Sequence, residues 1–282
     1  MSKRKRANLT DILNDLTFKK VFDKYKLLAV SAFEWEGLPC GIKSRHIEKL
    51  LFSHGRAIFF KDRKMSFMCL KCDDGIGVNV YGEPVQYLAS GFGYRKYYDA
   101  DKCVVIENNI LRYATEPFIY FYVNKLTEAE RTMDVNIKAV KTPIVFTCDE
   151  KNVLTFKQIF QQVDGNVPAL FADKNISPDT INAFQTGAKF LCNDIMDYKK
   201  SVDNEVLTFL GYNNLAVDKK ERVNVPEVES NNGVIESFAK MQEDARKEAC
   251  KLINDMYGLN VSVKRKGGVT DVQSLDNNES DD

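Results

Sequence analysis

The chain has 282 residues, and its 40 lysine and arginine residues balance its 40 aspartate and glutamate residues, so the formal net charge is zero. Hydrophobic residues make up 44% and charged residues 28% of the sequence, which excludes a collagen-like or wholly disordered chain. A chain of this length forms one large domain or two intimate ones and needs no disulfides to fold. The balanced charge argues against a protein that coats nucleic acid, because such proteins carry a clear basic excess.

The composition of the N-terminus and of the apolar runs predicts a protein kept inside the cell, without a membrane span. The apolar run at residues 118–123 is far shorter than the roughly 18 residues needed to cross a bilayer. Asn8 and Asp11 stand where a signal peptide requires an apolar stretch. The seven cysteines are scattered and odd in number, which is typical of reduced thiols.

The N-terminal part of the chain predicts a basic arm followed by helices. Residues 1–10 carry no apolar periodicity and form the arm. Helical spacing of apolar residues predicts a helix from about Asp11 to Trp35, which Gly37-Leu38-Pro39 ends. A second, short helix is predicted from Ser44 to Ser53, so that residues 11–54 form a helical region.

Residues 55–110 change character and predict a small, mostly antiparallel sheet or barrel, because short apolar runs alternate with turns that contain glycine and aspartate. The predicted strands are Ala57–Phe60, Ser66–Cys69, Val78–Tyr81 and Lys102–Ile106.

The C-terminal part predicts long helices separated by a strand and a loop. Thr115 caps a helix that continues to about Val140, and Pro143 leads into a strand over residues 144–146. Ser177-Pro178 begins a long helix that Gly211 ends. A charged loop, a last helix from about Val234 to Tyr257, a strand from Leu259 to Val263 and an acidic flexible tail follow. The fold class is therefore α+β.

A zinc site and a nucleotide-binding loop are both weakly indicated by local motifs. Cys69 and Cys72 have the spacing of half a zinc site, but no second ligand pair follows at usable spacing, and two ordinary thiols explain them more simply. The glycine pairs at residues 75–77 and 91–93 do not extend to a phosphate-binding motif and predict turns. We expect no cofactor and no bound metal.

Two basic runs are the candidate nucleic-acid contacts. Lys3, Arg4, Lys5 and Arg6 carry four positive charges without a nearby acid. In a single copy they are equally well a solubilising tail, but in a ring of many copies they would form a cationic collar able to hold phosphates. The run Lys219, Lys220, Glu221 and Arg222 lies in the predicted loop and is a solvated charge run unless that loop lines a surface.

Several further motifs occur in a constant order along most of the chain. They are Phe33–Pro39 (FEWEGLP), Phe59–Asp62 (FFKD), Val105–Asn109 (VIENN), Lys141–Pro143 (KTP), Leu154–Gln158 with Gly165–Pro168, Thr208–Gly211 (TFLG), Lys219–Arg222 (KKER), and Glu248–Cys250 leading to Tyr257–Val261. Together they resemble the upper collar proteins of small short-tailed phages of the salasmavirus type, which are also called head–tail connector or portal proteins.

This resemblance implies a dodecameric ring with a central channel at one vertex of the phage head. Double-stranded DNA would enter through the channel, driven by a separate packaging ATPase, and leave through it at infection. The ring itself would be no enzyme. Its partners would be capsid and scaffolding proteins and the lower collar and tail proteins. The ring would be located in the virion and, during assembly, in the host cytoplasm. Whether a packaging RNA takes part stays open.

The resemblance also assigns roles to the predicted segments. The portal-type subunit would comprise the arm (1–10), the N-terminal helical region (11–54), a small SH3-like β wing (55–110), a stem helix (111–142), a wing strand and helix (143–176), a channel helix (177–213), a channel loop (214–232), a crown helix and strand (233–266) and the acidic tail (267–282). Lys219, Lys220 and Arg222 would then contact DNA in the channel, and the basic arm would bind packaging nucleic acid.

One departure concerns two further channel lysines that family members carry in the helix before the loop. Gln185 and Asp194 align with these positions, so the upper channel would differ in charge. Lys189, Lys199 and Lys200 are the candidates that would compensate on a shifted face.

Two other hypotheses belong to different classes. In the first, a monomeric or dimeric regulatory protein binds nucleic acid through the arm and holds a metal at Cys69 and Cys72. In the second, a cysteine-dependent enzyme uses one of the only two histidines, His46 or His54, as its base.

Overall fold

The computed structural model describes residues 9–141, 144–147, 182–185, 189–213 and 225–266. Its contacts divide the chain into two units, one formed by Met1–Glu128 with Lys199–Asp282 and the other by Ala129–Tyr198. The elements, in chain order, are α1 (Leu9–Ser31), β1 (Phe33–Glu36), α2 (Ser44–His54), β2 (Arg56–Asp62), β3 (Ser66–Asp74), β4 (Gln86–Gly91), β5 (Tyr94–Asp99), β6 (Cys103–Glu107), α3 (Glu116–Lys141), β7 (Ile144–Thr147), β8 (Asn182–Gln185), α4 (Cys192–Phe209), α5 (Val225–Tyr257) and β9 (Ser262–Arg265).

A five-stranded antiparallel sheet in the order β5-β4-β3-β2-β6 confirms the antiparallel sheet predicted within residues 55–110. Strand β2, which lies between β3 and β6, is buried on both faces, with Phe59 in one core cluster and Ile58 and Phe60 in another. Burial on both faces explains why this strand reads as a continuous apolar run rather than an alternating one. The mixture of helices with this sheet confirms the α+β fold class.

The predicted strand at Val78–Tyr81 is wrong, and two real strands, β4 and β5, were missed. Residues 75–85 form a turn in which the Asn79 side-chain carbonyl accepts hydrogen bonds from the backbone N–H groups of Tyr81 and Glu83, at 2.9 and 3.0 Å. Gly77 and Gly82 have φ angles of 84° and 78°, a region that valine and tyrosine avoid. The β-branched residues between them therefore do not form a strand.

The first helix ends four residues earlier than predicted. Phe33–Glu36, which includes Trp35, forms strand β1 and pairs with β9, with Phe33 opposite Arg265 and Glu36 opposite Ser262. Phe33 and Trp35 are buried while Glu36 is exposed, which is the period of a strand and not of a helix. The pairing partner lies more than 200 residues further along the chain, so local periodicity does not reveal it.

The helices α2 and α3 confirm the predictions for residues 44–53 and 115–140, and β7 confirms the strand at 144–146. The single helix predicted from Ser177 to Leu210 is wrong, because Asn182–Gln185 forms strand β8 and pairs with β7. The described helix in this region begins only at Cys192.

The last helix begins earlier and the last strand later than predicted. Helix α5 starts at Val225 rather than near Val234, and Pro226 takes the first turn, where its missing N–H costs nothing. The loop predicted over 214–232 is therefore shorter at its C-terminal end. Strand β9 covers Ser262–Arg265 rather than 259–263. Within the described part of the chain, no helix is long and apolar enough to span a bilayer.

Candidate functional site

The basic residues predicted to contact nucleic acid lie outside the described residues. These are Lys3, Arg4, Lys5 and Arg6 of the arm, and Lys219, Lys220 and Arg222 of the loop. The structure does describe the two helices that the loop joins, α4 and α5, and therefore the frame that carries Lys219 and Lys220.

The end of α4 is a tight turn pressed against α5. The backbone N–H of Gly211 donates to the carbonyl of Thr208 at 3.0 Å, and that of Tyr212 donates to Leu207 at 2.8 Å, the pattern of a helix that ends in a glycine with positive φ. A Cβ on Gly211 would lie 2.7 Å from the Cβ of Ala239 in α5. Glycine is thus required both by the turn and by the close approach of the two helices.

Helix α5 extends well beyond its contact with α4. The Phe209 ring packs edge-on against Phe238 at 5.9 Å, and the Phe209 carbonyl accepts a hydrogen bond from the Gln242 side chain at 3.2 Å. Val225 lies thirteen residues before Phe238, which is ~20 Å along a helix axis at 1.5 Å per residue. The loop therefore rejoins the described chain at the end of a helical extension, away from this contact.

A buried arginine on α5 holds this helix to the rest of its unit. Arg246 is only 2% exposed, and its guanidinium contacts both carboxylate oxygens of Glu48 on α2, at 3.0 and 2.8 Å. Its remaining N–H groups donate to the carbonyls of Asn108 and Gln242 and to the Asn108 side chain, at 2.9 to 3.2 Å. All five donors of the guanidinium are thus satisfied.

The neighbours of Arg246 extend the network to further elements. The indole N–H of Trp35 in β1 donates to Glu48 at 2.8 Å, and the guanidinium lies 4.2 Å from the centroid of the Phe33 ring. The Asn108 amide donates to the Thr115 hydroxyl at the start of α3, at 2.9 Å. We call Arg246, Glu48, Asn108 and Trp35 the buried anchor. It joins α5 to α2, to β1 and to the connection between β6 and α3.

The buried anchor was not found from the sequence, because Arg246 stands in the strongly charged run Glu243-Asp244-Ala245-Arg246-Lys247. One signal could have found it. Ile235, Ala239, Cys250 and Ile253 are buried at helical spacing, and Arg246 falls on the same face. A charged residue within an apolar stripe indicates a buried and paired charge.

The cysteines do not form the zinc half-site of the regulatory-protein hypothesis. Cys69 and Cys72 lie three positions apart on strand β3, so their side chains point to opposite faces, and each belongs to a different core cluster. Among the described residues, no group of three or more potential ligands is close enough to hold a metal ion.

Four buried thiols are also poorly suited to the cysteine-dependent enzyme. Burial raises the pKa of Cys69 and of Cys72 to about 12, and that of Cys103 and of Cys250 to about 11, so these four remain protonated at neutral pH. His46 and His54 lie at opposite ends of α2, and both are exposed.

The two positions proposed for additional channel charges do not belong to one helix. Gln185 lies in strand β8, whereas Asp194 is exposed in the first turn of α4, where a carboxylate favourably meets the helix dipole. Lys199 and Lys200 follow in α4, and Lys189 precedes it. The prediction that Gln185 lies in the helix before the loop is therefore wrong, and the charge of the upper channel stays a prediction.

Comparison with known proteins identifies the family. The model of a family described as Phage Connector (GP10) matches residues 3–270, which is nearly the whole chain. The chain therefore belongs to the phage connector family. Its function is that of a phage head–tail connector, or portal protein, a structural component of the virion. This membership decides against the regulatory-protein hypothesis.

Chains in several solved structures of phage and phage-like particles are similar to this chain at low sequence identity. A chain of the neck of an empty gene transfer agent particle is 8% identical, with 95% of this chain and 84% of that chain covered and a TM-score of 0.50. A chain of the portal and tail of native bacteriophage P68 is 16% identical, with 99% and 98% covered and a TM-score of 0.49. A portal protein of the HK97 family from Corynebacterium diphtheriae is 11% identical, with 95% and 96% covered and a TM-score of 0.46.

Proposed function

We propose that the protein forms a dodecameric ring at one capsid vertex and that double-stranded DNA passes through its central channel during packaging and ejection. The observation that carries this proposal is the family match, which spans both the basic arm and the loop between α4 and α5. The ring carries out no catalytic step, and a separate packaging ATPase supplies the energy. Its other partners are capsid and scaffolding proteins above and around the ring and lower collar and tail proteins below it.

Lys219, Lys220 and Arg222 contact the DNA backbone in the channel under this proposal. The ~20 Å extension of α5 beyond its contact with α4 supports a projecting loop. A dozen copies of such a loop surround the DNA with ammonium groups. The contacts are weak and exchange rapidly, since each neutralised phosphate adds to affinity and tight binding would stall the moving DNA. A chain of zero net charge fits a conduit better than a protein that retains DNA along its whole surface.

Replacing both Lys219 and Lys220 with alanine should leave ring assembly and the start of packaging intact but reduce retention of the packaged genome. The physical reason is the loss of phosphate contacts at the loop, while the described core of the subunit is untouched. The measurement is the fraction of genome-filled particles, with the length of DNA they hold, in an infection complemented with the variant.

The matched control replaces Lys240 on α5 and Lys64 in the turn between β2 and β3, which removes the same charge at exposed positions of the described core. This control should fill normally. Failure of the Lys219 and Lys220 variant to form rings would contradict the role of the loop as a channel contact.

Removal of residues 1–6 should weaken nucleic-acid binding and its dependence on salt. In a plot of the logarithm of the binding constant against the logarithm of the salt concentration, the negative slope should become smaller in magnitude. The expected change is roughly 0.9 for each arm charge that contacts a phosphate. A variant with Lys3 and Lys5 replaced by arginine keeps the charge and should keep the slope. A truncated protein with an unchanged slope would show that the arm does not bind phosphates.

A further inference from the structure

Helix α2 carries a cluster of cations towards its N-terminal end. Lys43 is the residue from which the helix starts, and Arg45 and Lys49 follow within it, one turn apart. All three are exposed, and none forms an ion pair with any described residue. We call Lys43, Arg45 and Lys49 the α2 basic face. Partial burial and the charges of these three residues lower the pKa of the neighbouring His46, and no described carboxylate acts on it in the opposite direction.

The position of these cations on α2 is electrostatically unfavourable. The N-terminal end of a helix carries partial positive charge, which acids stabilise and cations oppose. The first turn of α2 contains no acid, and no side chain caps its N-terminus. Glu48, the only carboxylate of this helix, is buried and held by Arg246. An acidic segment from elsewhere would therefore meet both the positive end of the helix and three cations without a described partner.

The neighbouring elements do not neutralise the α2 basic face. Helix α1 and strands β1, β2 and β3 pack against α2. Every carboxylate on the three strands already has a basic partner, in the pairs Glu34–Lys266, Glu36–Lys264, Asp62–Lys96, Asp73–Lys71 and Asp74–Arg56. On α1, four lysines outnumber three aspartates, and one of these lysines, Lys26, lies over the Phe52 ring of α2, 5.2 Å from its centroid. The surroundings thus leave this surface positive.

The acidic tail, residues 267–282, has the opposite charge and follows directly on the last described residue. It contains no lysine or arginine and five acids, which are Asp271, Asp276, Glu279, Asp281 and Asp282. The family match ends at residue 270, so all five acids lie beyond the part of the sequence that the family model covers. The tail therefore complements the α2 basic face in charge.

The acidic tail also starts close to this face. The N–H of Lys266 donates to the carbonyl of Ala32 at 2.8 Å. Ala32 lies three residues before Trp35, which is ~10 Å along an extended chain. The Trp35 N–H in turn donates to the hydroxyl of Ser44, at the start of α2, at 3.1 Å. An extended chain advances at most ~3.6 Å per residue, so the segment from Lys266 to Asp271 alone spans up to ~18 Å. The acids can thus reach α2 of their own copy.

We propose that the acidic tail binds the α2 basic face of its own copy of the chain. Its carboxylates pair with Lys43, Arg45 and Lys49 and bring negative charge to the N-terminal end of α2. Such surface pairs are individually weak and are screened by salt, but a tethered segment that makes several of them acts at high effective concentration. The contact lies within one copy, so it goes beyond the proposed function and does not depend on ring formation.

The reactivity of single lysines measures whether the face is covered. Acetylation of the full-length protein is compared, residue by residue in a mass spectrometer, with that of a protein that ends at Lys266. Without the tail, Lys43 and Lys49 should react about threefold faster, because several weak ion pairs that act together are lost. Lys61 and Lys64, which are exposed on the β2–β3 hairpin, are internal controls and should not change. The difference should vanish at high salt.

A neutral tail of unchanged length separates charge from bulk. The variant D271N/D276N/E279Q/D281N/D282N should raise the reactivity of Lys43 and Lys49 as much as truncation does. In the wild type, a carbodiimide should link tail carboxylates to Lys43 or Lys49, and in protein assembled from ordinary and isotope-labelled copies these links should stay within one copy. Unchanged reactivity in both variants, or links to the arm, to the channel loop or to another copy instead, would overturn this contact and leave the proposed ring standing.

Discussion

Replacing Arg246 with methionine will lower the free energy of unfolding by about 3–5 kcal/mol, the cost of removing one partner of a buried ion pair. Methionine fills much of the same space, so the loss comes from the groups left behind. The Glu48 carboxylate, in a residue only 2% exposed, would keep the Trp35 indole as its hydrogen-bond donor but lose its charge partner. The backbone carbonyl of Asn108 would lose the donor that Arg246 supplies at 3.2 Å.

Urea unfolding followed by circular dichroism measures this effect, at one protein concentration because assembly adds to stability by mass action. Lys240→Met on the same helix is the matched control, since Lys240 is exposed, and it should change stability by less than about 0.5 kcal/mol. A double-mutant cycle with Glu48→Gln isolates the pairwise term. A loss of less than about 1 kcal/mol for Arg246→Met would show that the anchor does not hold the unit together.

Replacing Gly37 with alanine should be nearly as damaging, with a loss of about 2–5 kcal/mol. Gly37 follows β1 and has a φ angle of 69°, which costs an alanine roughly 1–2 kcal/mol. A Cβ at this position would also lie 2.0 Å from the backbone carbonyl oxygen of Asn260, just before β9. The chain must move apart there, and that movement disturbs the pairing of β1 with β9.

Gly93→Ala separates the two causes. Gly93 has the same φ angle of 69°, but a Cβ there would meet no atom within 4 Å. The control should therefore lose only the roughly 1–2 kcal/mol of the backbone conformation. Both variants are compared by thermal and urea unfolding. Equal losses at the two glycines would contradict this expectation, because the close approach to Asn260 would then make no contribution to the loss in the free energy of unfolding.

The buried anchor bears on the proposed function through helix α5. The N-terminal end of this helix leads to the loop that carries Lys219 and Lys220, while Arg246 fastens the middle of the helix to α2 and to the connection between β6 and α3. Gly211 lets α4 press against the same helix at Ala239. The helix that leads to the loop is thus fixed by two contacts, one through Arg246 and one between Gly211 and Ala239.

Periodicity in the sequence predicted the elements whose burial is decided locally. Helices α2 and α3 each bury one face, and their apolar residues recur at helical spacing. Strand β2 was recognised because four successive buried residues form an apolar run. In contrast, β5 contains Arg95 and Lys96 beside three tyrosines, and an edge strand of this composition shows no alternation of apolar and polar residues.

Elements that depend on distant partners could not be predicted in this way. Trp35 continued the apolar spacing of α1, but the pairing of β1 with β9 and the hydrogen bond to Glu48 place it in a strand. Strand β8 likewise exists through its pairing with β7. The capping pattern at Ser177-Pro178 predicted a helix start without any information on that partner.

The candidate site was predictable only where charge is concentrated in sequence. The basic arm and the run from Lys219 to Arg222 are visible as uninterrupted clusters, and their contacts with nucleic acid stay predictions. Arg246, in contrast, lies on one face of a helix and has its partners on other elements. Only the structure shows that this arginine is buried and paired.

The mass and shape of the purified protein decide whether copies of this chain form a closed ring around a channel. Light scattering should give the mass of a dodecamer of 32.2 kDa subunits, and negative-stain images of the same peak should show rings with a central hole. A monomer or two-fold dimer at every salt and protein concentration, with no rings in the images, would contradict assembly of this chain into a ring.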